Sequence, residues 1–155
     1  MTIREDEPIV LTEGSHPFLE RFDPEFLAAA STNARELRFQ TEEYVFREGE
    51  RAQRFYLVME GKVGLEIEAS DRPRLTVQTI GPGEVMGWAW LVHPYLWPVA
   101  ARALKPTRAI ALDTIVLHRY FKLHPDVGYR FVLRLMPVIA KRLDDTRVQL
   151  ADLHA

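Results

Sequence analysis

Two hydrophobic periods divide the chain. From Arg35 onward, apolar residues alternate with polar ones in short runs: Leu37 and Phe39; Tyr44 and Phe46; Phe55, Leu57 and Met59; Val63, Leu65 and Ile67; Leu75, Val77 and Thr79. A period of two is that of a strand with one buried face. The interruptions carry turn residues, at Glu48-Gly49-Glu50, Glu60-Gly61-Lys62, Ser70-Asp71-Arg72-Pro73 and Gly81-Pro82-Gly83. The alternation returns at residues 100–103 and 109–112. Short strands at this spacing predict a closed or rolled antiparallel barrel.

Helical patterns flank the strands. Phe18, Leu19, Phe22, Phe26, Leu27 and Ala30 form an apolar set, with Asp23 as an N-cap and Pro24 at the first helical position. They predict a short turn and a helix of about ten residues ending near Asn33. Residues 1–15 show no period and are expected to be a flexible leader, leaving residues 16–155 as the domain. Asp113-Thr114 opens a second helix carrying Ile115, Val116, Leu117, Tyr120 and Phe121, and His124-Pro125-Asp126 breaks it. A final helix is expected over residues 127–153. Its apolar positions Val132, Met136, Ile139, Leu143, Leu150 and Leu153 recur with the polar Thr146 at alternating steps of four and three. That heptad seam predicts a homodimer through the last helix, as in a two-stranded coiled coil. Its alternative is packing on the protein's own barrel. Pro137 should kink or break the helix.

Composition narrows the function classes. The 155 residues suffice for one domain with a real core. A net charge of −2 and an acidic first thirty residues give no sign of a nucleic-acid surface. Without cysteine there can be no disulfide, thiolate metal site or cysteine nucleophile. No apolar run is long enough to cross a bilayer, so a cytoplasmic protein is expected. His16, His93, His118, His124 and His154 have no metal-ligand spacing, and no catalytic triad, paired-acid or phosphate-loop motif is present. A metal site and catalytic residues are therefore not expected, and a cupin-like metalloenzyme is the remote alternative.

The chain centres on residues 81–103, GPGEVMGWAWLVHPYLWPVAARA, where tryptophans, prolines and glycines interrupt the strand pattern around one acid, Glu84. With Phe46-Arg47-Glu48-Gly49-Glu50, Phe55-Tyr56-Leu57-Val58, Glu60-Gly61-Lys62-Val63, Gly83-Glu84-Val85 and Ala101-Arg102-Ala103 in this order, residues 16–153 resemble the cyclic-nucleotide-binding domain of the catabolite activator and protein-kinase regulatory-subunit superfamily. The resemblance implies a mainly β protein with flanking helices. Its body would be a jelly-roll-like, double-stranded β-helix (a β-roll), with an N-terminal helix and a long C-terminal helix.

It also implies a phosphate-binding cassette after Gly83-Glu84. Backbone amides of Val85, Gly87 and Trp88 would face the phosphate, Glu84 the ribose, and Arg142 and Thr146 of the last helix the base, with Gly83, Trp97 and Ala100 completing the site. Glu84 could equally cap the N–H groups of the following turn. The family's phosphate-binding Arg is missing: Trp97 and Pro98 stand in its place, and the cassette is about three residues longer than usual. Arg102 belongs to the following strand. A phosphate against Trp97 would forgo a charge-assisted pair of about 1.5–3 kcal/mol. Trp88, Trp90 and Trp97 could line a pocket, but are expected to plug it.

The resulting expectation is a stand-alone, non-enzymatic regulatory or sensor module without cofactor. It would be homodimeric, with a diverged small-molecule pocket, and would signal through a partner protein and not through nucleic acid or membrane. Residues 1–155 include no helix-turn-helix after the long helix. The alternative is a working cyclic AMP or cyclic GMP receptor with a non-standard phosphate contact.

Overall fold

The computed structural model describes residues 6–153. Nine strands form two antiparallel sheets: β1 (Asp6–Pro8), β2 (Arg35–Phe39), β3 (Tyr44–Phe46), β4 (Arg54–Glu60), β5 (Val63–Ala69), β6 (Arg72–Ile80), β7 (Val85–Met86), β8 (Ala100–Ala103) and β9 (Thr107–Asp113). One sheet has the order β1-β2-β9-β4-β7 and the other β3-β8-β5-β6. The period-two reading holds in part: β4 buries Phe55–Val58 on both faces, β6 is largely exposed, and alternation positions Ile67 and Leu75 face solvent. In the second sheet, Leu65 lies opposite Ala101 and Val63 opposite Ala103, all buried on a common face.

Three α-helices enclose the roll: α1 (Pro24–Ala30), α2 (Thr114–Leu123) and α3 (Pro125–Leu153). Asp113 starts α2 as its N-cap, its carboxylate accepting from Ile115 N at 2.8 Å and Val116 N at 3.4 Å. A ring cluster joins these helices to the sheet. Phe131 of α3 meets Phe18, Phe22, Phe26, Phe55 and Trp90 at centroid distances of 5.2–6.2 Å. Such contacts add directional preference to hydrophobic burial and fix the root of α3 against the barrel.

Four expectations are corrected. Residues 6–15 are not a loose leader: β1 pairs with β2 through Asp6↔Leu37 and Pro8↔Arg35. Leu11 is buried, and its amide donates to Ser31 Oγ at 2.8 Å. The unpaired backbone groups of an edge strand attract such an addition, which hydrophobic periodicity cannot reveal. Residues 1–5 of that segment, and His154, lie outside the described residues. Helix α1 stops at Ala30, where Ser31 Oγ donates back to Leu27 O, and Asn33 then turns the chain with φ +59°. Asp23 occupies the N-cap position but pairs with Arg130 at 2.8 Å instead of bonding the helix amides. Helix α3 starts at Pro125 and continues through Pro137 without a break.

Helix α3 carries two stripes one residue apart. Phe131, Leu135, Val138, Arg142, Asp145 and Gln149 face the roll. The heptad seam is displaced from them by one residue, about 100° around the axis. Of that seam Ile139 is half-buried against the core, while Val132, Met136, Leu143, Leu150 and Leu153 are exposed.

Candidate functional site

The cassette begins as a turn. Glu84 N donates to Gly81 O, and Glu84 Oε1 accepts from Gly81 N at 2.8 Å. Gly83 adopts φ +82°, a conformation that glycine tolerates best, and its amide donates to Val58 O. The carboxylate of Glu84 thus caps the preceding Gly81 amide and not the turn that follows. Strand β7 follows, paired to β4 through Tyr56↔Met86 and Leu57↔Val85. Only then comes the cassette's short helix, a 3-10 turn at Ala89–Leu91. The Gly-Glu pair is thus one strand removed from that helix. The residues directly before it are Gly87 and Trp88, with Trp88 at its N-cap.

Trp97 closes the interior. It is buried and lies flat on Phe46, with ring centroids 3.7 Å apart and planes 9° from parallel. The Cη2–Cζ3 edge of its six-membered ring abuts Gly87, where an added Cβ would stand 2.6 Å from Cη2. Two backbone hydrogen bonds hold it: Gly49 N donates to Trp97 O and Trp97 N to Glu50 O, both at 2.9 Å. The space left around Phe46, Leu65, Met86, Trp88, Trp97 and Arg142 is about 30 Å³. One water occupies about that volume in the liquid, whereas small-molecule sites typically offer roughly 300–1,000 Å³. Trp90 is also core. It is fully buried, and its indole N–H donates to Gly87 O at 2.8 Å. Trp88 is half-buried against the core.

A larger space lies outside this plug, between α3, β6 and the turn at residues 81–84. It measures about 540 Å³ and is lined by Gln78, Gly83, Glu84, Val85, Lys141 and Arg142 among others. Arg142 borders both spaces and donates to Val85 O. Burial pushes its pKa down from the ordinary guanidinium value, and the charge of Glu84 opposes that shift. Gln78 donates to Asp145 Oδ2, which also pairs with Lys141 at 3.0 Å. The ligand residues expected from the sequence therefore divide: Gly83, Glu84 and Val85 border the outer space, and Gly87, Trp88 and Trp97 the inner one. Ala100 is buried in β8 and lines neither. Thr146 is exposed and donates to Arg142 O at 2.9 Å within its own helix.

Arg102 is committed elsewhere. Its guanidinium grips buried Glu66 through two 2.9 Å hydrogen bonds, with Glu42 at 3.3 Å. The bonds to Glu66 raise its pKa, and the pair leaves no free cation for a phosphate. Sequence reasoning missed Gln78, Lys141 and Asp145. Asp145 lies on the roll-facing stripe, Gln78 on the strand it meets, and exposed Lys141 beside that stripe, where polar residues give no hydrophobic signal. Among the described residues, no cluster of three or more His, Cys, Asp or Glu is arranged to hold a metal, and no helix is long and apolar enough to cross a membrane.

An antiparallel roll with an internal cassette turn and a long C-terminal helix defines a β-roll domain. The chain belongs to the cyclic nucleotide-binding domain family, whose model matches residues 36–124. It is 28% identical over 131 residues to a CRP-like cAMP-activated global transcriptional regulator of Mycobacterium tuberculosis, covering 84% of this chain and 57% of that protein. A protein of Geobacter metallireducens GS-15 described as cyclic nucleotide-binding superimposes with a TM-score of 0.72 at 26% identity, covering 83% of this chain and 92% of that one. The catabolite activator protein of Thermus thermophilus gives a TM-score of 0.66 at 25% identity, with 89% and 63% covered.

Proposed function

We propose that this domain is a regulatory module, acting by binding and not by catalysis, whose inner pocket has diverged from cyclic nucleotides. The observation that carries the reading is Trp97, which leaves an inner space of about 30 Å³, while Arg102 is committed to Glu66 and Arg142, which borders that space, is bonded to Val85 O. It would respond through the position of α3, as a homodimer along Val132, Met136, Leu143, Leu150 and Leu153, and pass the change to a partner protein. A ligand shifts such an equilibrium only by its differential affinity for the two states. The exposure of these five apolar side chains supports the dimer.

Calorimetry with cyclic AMP, cyclic GMP and cyclic di-GMP tests the reading, and no saturable heat is expected at micromolar ligand. A second reading, a cyclic-nucleotide receptor with a non-standard contact, draws support from Glu84 and Arg142 bordering the 540 Å³ space. Micromolar binding that disappears in Glu84→Ala would establish that reading in place of the first.

A further inference from the structure

The stretch that closes the inner site opens an outer one. Residues 95–97 run alongside residues 49–52 as a short zip, with Ala52 N donating to Tyr95 O at 2.8 Å and Arg51 bridged to Leu96. Trp97 points into the core, while Tyr95 stands 45% exposed. Beside it is a recess of about 630 Å³ between this zip and α2, lined by Arg51, Trp90, Tyr95, Ile115, His118 and Lys122 among others. This volume suits a small molecule.

Its chemistry is one-sided. Arg51, His118 and Lys122 supply basic groups, and no residue lining the recess is an acid. Arg51 and Lys122 are exposed. His118 donates from Nε2 to Trp90 O at 2.9 Å, since a carbonyl can only accept, and this bond holds the imidazole against the floor. The Tyr95 ring meets that imidazole edge-on at 6.3 Å. Tyr95 itself holds φ +61°, an unfavourable conformation for a bulky side chain. Its backbone bonds to Val92 and Ala52 maintain it there, and strain of this kind clusters at ligand clamps.

We propose that this recess binds a small organic phosphate carrying a flat ring, a nucleoside monophosphate in chemical class. Arg51 and Lys122 would meet the dianion, and the Tyr95 ring would pack against the body. A guanidinium and an ammonium on an acid-free wall match a doubly charged phosphate better than a single carboxylate. The site lies outside the cassette's inner space, so the inference adds to the regulatory reading without depending on the inner pocket being closed. The zip provides a physical link between the two, with exposed Tyr95 and buried Trp97 two residues apart on it.

The test is a calorimetric titration of the full chain with adenosine 5′-monophosphate, with inorganic phosphate and adenosine as controls. Saturable binding of the monophosphate is expected, tighter than either control, and weakened at least about tenfold in Arg51→Glu/Lys122→Glu. Both substituted side chains are exposed, so circular dichroism should show the variant folded. Absence of saturable binding by the monophosphate overturns the proposal, as does equal binding by the double variant. Binding abolished by Arg142→Ala but not by the double variant would also overturn it. The regulatory reading is decided separately, by the cyclic-nucleotide titrations and Glu84→Ala.

Discussion

Trp97 and Phe46 lie face to face, 3.7 Å between ring centroids, with Gly87 against the six-membered ring of the indole. This arrangement makes a side chain of the protein the occupant of its own inner site. Gly87 is the tightest point. It has φ +105°, and a methyl group there would meet Trp97 at 2.6 Å. Gly87→Ala is expected to destabilise the fold by at least about 2 kcal/mol, combining backbone strain with overpacking. Urea denaturation measures it, and a loss below half that figure would mean the indole can move aside.

Truncation of the indole should leave a hole with a known shape. Trp97→Ala is expected to cost about 3–5 kcal/mol, the usual range for a buried aromatic. Free indole should then raise the melting temperature of the variant and leave the parent protein unaffected, because an apolar cavity of this kind accepts a matching apolar guest. If indole has no effect on the variant, the surrounding residues have collapsed into the space.

Acid should weaken the fold through His16. The ring is buried, accepts from Phe18 N at Nδ1 and donates from Nε2 to Val58 O, each at 3.0 Å. Burial lowers its pKa from the ordinary value of 6.5, against the opposing effect of its backbone hydrogen bonds to Val58 and Glu84. The unfolded chain therefore takes up a proton that the folded one refuses. The contribution is complete above pH 6.5 and is lost progressively as the pH falls from there toward the lowered native value. Melting temperatures between pH 8 and 5.5 should decline more steeply for the parent than for His16→Asn, and parallel curves would remove His16 as the cause.

The seam of α3 can be tested without disturbing the core. Leu143 and Leu150 are 60% and 52% exposed, whereas Ile139 is half-buried and should be left intact. Leu143→Lys/Leu150→Lys is expected to halve the mass measured by light scattering while preserving the circular dichroism spectrum. An unchanged mass would exclude the seam as the dimer contact.

Most strands were legible because turn residues separate them, as Gly61 does between β4 and β5, but β1 and β7 carry no alternation and were not expected. The start of α2 was legible from Asp113, whose carboxylate performs the capping its position suggests. The plug was legible in outline, since Trp97 stands where a cation was expected. The position of the Gly-Glu pair was not. Sequence spacing alone cannot show that Val85 and Met86 form a strand between Glu84 and the short helix. Nor could the hydrophobic pattern identify the roll-facing stripe of α3, whose second half reads Arg142, Asp145 and Gln149. Those residues reach Val85, Gln78 and Val77 by hydrogen bonds. Polar attachment leaves no apolar period, so the exposed seam beside it gave the stronger signal.

The hydrogen bond from Arg142 to Val85 O fastens the middle of α3 to a strand of only two residues. A strand that short has little ladder of its own to resist a pull. In the regulatory module proposed above, reciprocity of coupling would make communication through this bond two-way: a protein gripping α3 would bias the cassette's affinity for a ligand by the same factor as the ligand would bias that grip.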